Sequence, residues 1–149
     1  MQDAFAHCGA LLRAADKDRF LTSLFAPAEH RDALFALYAF NVEVAHVREV
    51  VREPVAGEIR LQWWSDVFDG ARRGEVAAHP VAAALLASMA RYRLPPERFK
   101  ALIEARRFDL YDEPMATLAE LEAYADGASA SLVARIVADR RNLRDRFAF

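Results

Sequence analysis

The stretch "YAFNVEVAHVREVV", residues 38–51, carries Asn41, Glu43, His46, Arg48 and Glu49 within an otherwise apolar run. That many polar groups on a buried segment are costly unless partners or a ligand satisfy them. "EVAH" at 43–46 is a Glu-x-x-His spacing, which sets both side chains on one helix face and forms half of a carboxylate-bridged di-metal pattern. The other half needs a second such pair, and the sequence contains none. A metal-independent, hydrogen-bonded role for His46 is therefore expected. Three acidic pairs at i, i+4, namely Glu49/Glu53, Asp109/Glu113 and Glu122/Asp126, have the spacing that lets two helical carboxylates hold Mg²⁺ against a diphosphate. The first two lie beside prolines, so solvated helix ends paired with arginines are the plainer expectation. "GEIRLQWW" at 57–64 adds Arg60 and Gln62 as candidates to line a cavity. Its adjacent tryptophans cannot share one helix face, so one is expected in the core and the other at a cavity wall, an interface or a membrane surface.

Helices must position these groups. The apolar spacing predicts an amphipathic stretch over residues 3–18, then a short piece, "DRFLTSLF". A long helix follows from about Pro27 to Arg52, ending before Pro54, which disfavours helix in the residue ahead of it. On that helix Asn41, Ala45, Arg48 and Arg52 form one polar stripe, and Glu43, His46, Glu49 and Glu53 a second. A helix with two polar stripes separated by apolar surface is a central one. Gly57 opens the next segment, with Gly70 and Gly74 at its exit. His79-Pro80 and Pro95-Pro96 begin two more helices, and "TLAE" at 117–120 is a capping box for the last, expected to run to about Asp139. Nothing alternates with period two, so the fold class is all-α, a helical bundle of six or seven helices.

The totals bound the function. The chain has 149 residues, 54% of them hydrophobic, which suits one domain over 1–149. Charge is nearly balanced at a net of −2, which argues against a nucleic-acid partner. Cys8 is the one cysteine, so an internal disulfide is excluded and a reducing compartment fits. The longest apolar run, "PVAAALLASMA" at 80–90, is too short to span a bilayer. A soluble, cytoplasmic protein that can touch a membrane surface is expected.

Four stretches together resemble the squalene/phytoene synthase family of head-to-head prenyl-diphosphate transferases. They are "RFLTSLFAPAEHRDALFALYAFNVE" at 19–43, "VREPVAGEIRLQWWSDVF" at 51–68, "ARRFDLYD" at 105–112 and "TLAELEAYADGASASL" at 117–132. "AFNVE" and "GEIR-QWW" are similar to a branch known in respiratory complex I assembly, which has bacterial relatives. The resemblance covers roughly residues 5–136 and implies the N-terminal half of an isoprenoid synthase fold, as a shortened domain. In the enzymes "YAF" leads into an arginine and then a DDxxD-type motif whose aspartates bind Mg²⁺. Carried onto this chain, the arginine position is Val42 and the aspartate positions are Ala45, His46 and Glu49. Glu49 is thus the one carboxylate retained, and no catalytic residue or metal ligand is assigned. The Tyr–Cys–Tyr segment of the family reads "YADGASA" here, keeping Tyr124. The second aspartate-rich motif lies on a later helix, beyond Phe149.

What the resemblance implies is a non-catalytic family member, acting in complex I assembly through a protein partner or a prenyl lipid. Its substrate-side candidates are Asn41, Glu43, His46, Arg48, Arg60, Gln62 and Tyr124. Asn41, Glu43 and Arg48 are expected to hydrogen-bond within the bundle. No cofactor is expected, Mg²⁺ entering only under the alternative of an active prenyl transferase. A helical fragment without independent function is the third reading, since the faces that missing helices would cover then stay exposed.

Overall fold

The structure is a computed structural model that describes residues 1–111 and 114–125. All its regular structure among these residues is helical: α1 (Gln2–Ala15), α2 (Lys17–Ser23), α3 (Ala28–Val50), α4 (Pro54–Phe68), α5 (Arg73–Val76), α6 (Pro80–Tyr92), α7 (Pro96–Phe108) and α8 (Leu118–Ala125). The chain divides into two units, Met1–Pro96 and a second from Glu97 onward, and the division falls where Pro95-Pro96 punctuates the sequence.

The first unit is built around α3. Helix α1 packs on α3 and α6, and α3 packs on α6, α4 and α2. Phe40 is fully buried and meets Trp64 and Phe68 edge-on, with ring centroids 4.8 and 5.6 Å away. Leu12, Ala36, Ala39, Val44, Leu61, Val81, Ala84 and Leu85 fill the rest of this core, and Cys8 is enclosed among them. Gly9 lets α1 come close to α3, since a Cβ there would lie 3.3 Å from the Phe35 ring. That ring stacks on Phe20 of α2 at 5.4 Å.

Helix α6 is tied to α3 at both ends. Near its C-terminus the Tyr92 hydroxyl donates to the Glu29 carbonyl and lies 2.8 Å from His30 Nδ1. At its N-cap, His79 Nε2 lies 3.6 Å from Glu43 Oε2. His30 and Glu43 are thirteen residues apart on α3, and Tyr92 and His79 are thirteen apart in the opposite sense, so the two helices run antiparallel in matched register.

Several boundaries differ from the sequence expectation. The stretch over 3–18 breaks at Asp16, whose carboxylate accepts from Arg19 N–H and starts α2. Helix α3 ends at Val50 rather than Arg52. Val51 (φ −94°, ψ 139°) and Glu53 (φ −113°, ψ 131°) are extended, the conformation that Pro54 favours just ahead of it. Arg52 and Glu53 therefore leave the two polar stripes, and Glu49/Glu53 is not a pair on one helix face. Helix α4 begins at Pro54, three residues before Gly57. Gly70 turns the chain after α4 with φ +75°, which glycine adopts without a Cβ penalty.

In the second unit, Phe99, Leu102 and Ile103 are the buried positions of α7. The predicted capping box is present at α8: Glu120 N–H donates to Thr117 Oγ1 at 3.2 Å, and Thr117 N–H donates to Glu120 Oε2 at 3.2 Å. The expected run to Asp139, and the acidic partners Glu113 and Asp126, lie outside the described residues.

Candidate functional site

Helices α3 and α4, together with α1 and the N-cap of α6, line an open cleft of about 440 Å³. Its apolar walls include Leu11, Val42, Val47 and Val50, and its aromatic wall is Trp63 and Trp64. Glu43, His46, Arg60 and His79 supply the polar groups. The adjacent tryptophans divide the work that their 100° separation imposes. Trp64 is 4% exposed and reaches the core from the cleft wall, while Trp63 is half-buried and donates its Nε1–H to Glu75 Oε2 at 2.8 Å. Glu75 is held in turn by Arg72, which also grips Asp66, so a surface ion network braces the outer side of that wall.

Glu43 is the polar group with the most perturbed chemistry. Burial pushes its carboxyl up to about 7, because the charged form loses water that the apolar walls do not replace. His79 moves the other way: burial pulls the imidazole below its ordinary value, a hydrogen bond to its own backbone partly opposes this, and nearby His7 adds to the lowering. The two shifts make the Glu43–His79 contact a meeting of a reluctant carboxylate and a neutral ring rather than an ion pair. The His79 ring also lies 4.7 Å from Trp63 and 5.3 Å from Trp64, between the two indoles.

Of the other candidates, His46 and Arg60 also line the cleft, whereas Asn41, Arg48, Gln62 and Tyr124 do not. His46 points its Nδ1 at Glu49 Oε2, 2.6 Å away, on the exposed side of α3. Arg60 is exposed at the mouth of the cleft. Gln62 donates to Asp66 Oδ1 at 2.8 Å and does not line the cleft. Arg48 sits exposed in the last turns of α3, also outside the cleft. Asn41 is buried on α3, and its Oδ1 has no hydrogen-bond partner. Tyr124 belongs to the second unit, where its hydroxyl donates to Asp109 Oδ2 at 2.9 Å and accepts from Arg106 at 3.1 Å. The rest of "YADGASA" lies outside the described residues. His79 was absent from the sequence candidates. The signal for it is its place before Pro80, at an N-cap where Ser, Thr, Asp or Asn is the usual choice.

Residues 12–145 match the family model for squalene/phytoene synthase. The chain belongs to the squalene/phytoene synthase family. Similar curated relatives are named NADH dehydrogenase (ubiquinone) complex I, assembly factor 6. The Bos taurus and Homo sapiens proteins are each 35% identical over 127 residues, covering 85% of this chain and 38% of their own length. The Drosophila melanogaster homolog is 32% identical over 133 residues, covering 85% of this chain and 40% of its own length. The chain thus spans about two-fifths of the curated relatives it matches, and these are eukaryotic. No solved structure matches it.

For a member of this family the Mg²⁺ question is one of donors. Mg²⁺ requires several hard oxygen ligands in near-octahedral order. Of the three residues expected at the aspartate positions, Ala45 offers none, His46 offers a ring nitrogen, and Glu49 is engaged by His46. Among the described residues no three His, Cys, Asp or Glu side chains converge to hold a metal ion. A donor set of this kind does not fit the ion. Among the described residues, no helix is long and apolar enough to cross a membrane.

Proposed function

We propose that the chain is a non-catalytic member of the squalene/phytoene synthase family that acts in the assembly of respiratory complex I. It does so by offering the cleft between α3 and α4 to a protein partner or a lipid, at the surface of the membrane that holds the complex. What supports this reading is the pairing of His46 with Glu49, two of the positions that the resemblance sets against the Mg²⁺-binding aspartates of the enzymes. Ionising a prenyl diphosphate demands several cations on the leaving group, and one carboxylate already paired with an imidazole cannot gather them. The names of the relatives support the complex I assignment. An apolar cleft with a few convergent polar groups supports the binding role, since that is how small apolar ligands and side chains are received. No cofactor is required.

Deleting the gene in its own host and measuring assembled NADH:quinone oxidoreductase on native gels tests the proposal. Loss of the assembled complex, restored by the wild-type gene, is expected; unchanged levels overturn it. The purified chain is expected to release no diphosphate from farnesyl or geranylgeranyl diphosphate with Mg²⁺. Mg²⁺-dependent release that Glu49→Ala abolishes would reinstate the transferase reading.

A further inference from the structure

The N-cap of α6 carries an unusual residue in a demanding place. Ala82 N–H donates to His79 Nδ1 at 3.3 Å, so the imidazole nitrogen takes the role that a hydroxyl or carboxylate oxygen normally takes. An accepting Nδ1 has no proton, which puts the ring proton of neutral His79 on Nε2. That nitrogen is the one facing Glu43 Oε2, 3.6 Å away on α3. One neutral tautomer therefore serves both contacts, one within α6 and one across to α3.

We propose that His79 is a proton-released cap, which holds the first turn of α6 and the Glu43 edge of the cleft while uncharged and frees the α6 turn once charged. A second proton goes to Nδ1 and replaces the acceptor by a donor aimed at another donor, the Ala82 N–H. The cap is then lost outright rather than weakened. A hydrogen bond to the backbone of His79 itself favours the charged ring, but burial outweighs it, and the side chains around it offer little more. Glu43 takes up its own proton near neutral pH, ahead of His79, so on acidification it is uncharged when the ring charges. From α1, His7 adds a like-charge cost. From α3, His46 is turned to Glu49, and from α4, Arg60 is a further cation at the cleft. From α5, Glu75 is committed to Trp63 and Arg72. The indole walls favour a cation over their faces, but burial outweighs them, since the ring is held below its ordinary proton affinity. Charged His79 must recruit water, and the route to water is the cleft between Trp63 and Glu43.

The consequence for an occupant of the cleft rests on the partner-or-lipid reading above, whereas the titration itself does not. Nitrogen NMR of the full chain at pH 7.5 is expected to show the Nε2–H tautomer for His79. Amide exchange at Ala82, corrected for the intrinsic pH dependence, is expected to lose protection by about tenfold between pH 7.5 and 5.5 as the cap is released. His79→Asn keeps an N-cap acceptor that does not titrate, so protection there should stay flat with pH. Glu43→Gln leaves the ring to titrate, so release should persist with an unchanged midpoint. An Nδ1–H tautomer at pH 7.5, flat protection in the wild-type chain, release surviving in His79→Asn, or release abolished by Glu43→Gln would each overturn the proposal.

Discussion

At the scale of single residues, Glu43 is where burial and charge conflict most openly. Its carboxyl ordinarily loses its proton near 4.5 and here holds it to about 7. Between those values the folded chain binds more protons at this site than the unfolded chain, so its contribution to stability falls as pH rises through the window and stays low above it. Glu43→Gln removes the charge and keeps the shape. It should raise stability at pH 8 by on the order of 2 kcal/mol and leave it nearly unchanged at pH 4, measured by urea unfolding at the two values. An equal gain at both would show that desolvation of the carboxylate is not the cause. The residue types in "EVAH" were enough to single out Glu43 and His46 from the sequence, but not to separate them. Glu43 turns into the cleft at 27% side-chain exposure, while His46 is 58% exposed beside Glu49. Three positions on a helix are 300° apart, so two residues at that spacing share a side only loosely, and what packs against each decides the outcome. His79 escaped notice because its importance comes from α3, thirty-six residues earlier in the chain.

Among the elements, boundaries marked by local chemistry were legible, and those set by neighbours were not. The capping box of α8 and the proline starts of α6 and α7 follow from side chains within a few residues, and they stand where the sequence puts them. The four-residue α5 has no such signal, and its Glu75 instead braces Trp63 of the preceding helix. The close approach of α1 to α3 at Gly9 is likewise tertiary. Gly9→Val would drive two methyl groups at the Phe35 ring, which already stacks on Phe20. A loss of about 1–3 kcal/mol in thermal unfolding is expected, against a few tenths for the same change at exposed Gly74, where nothing lies within 4 Å. At Gly70 the obstacle is backbone rather than packing. Gly70→Ala should cost about 1 kcal/mol because φ is +75° while the nearest side-chain atom is a comfortable 3.6 Å away.

At the scale of the whole molecule, exposed apolar side chains among the described residues are the surface feature to account for. On α4, Val55 and Ile59 are 68% and 67% exposed one helical turn apart, facing away from the core formed by Leu61 and Trp64. Replacing both by serine should lower self-association in sedimentation runs while shifting unfolding free energy by no more than about 0.5 kcal/mol, because neither side chain fills the interior. A large destabilisation would instead mean that the face is covered within the chain. Cys8 of α1 is the opposite case, a reactive group with no exposure. Its sulfur is sealed inside, and burial, with the Glu43 charge second, raises the thiol to about 12. A thiol so protonated and enclosed is inert to alkylating reagents until α1 lifts away. Since the sequence holds no other cysteine, iodoacetamide capture followed by mass spectrometry becomes a built-in clock for that opening, readable in crude extract without any label.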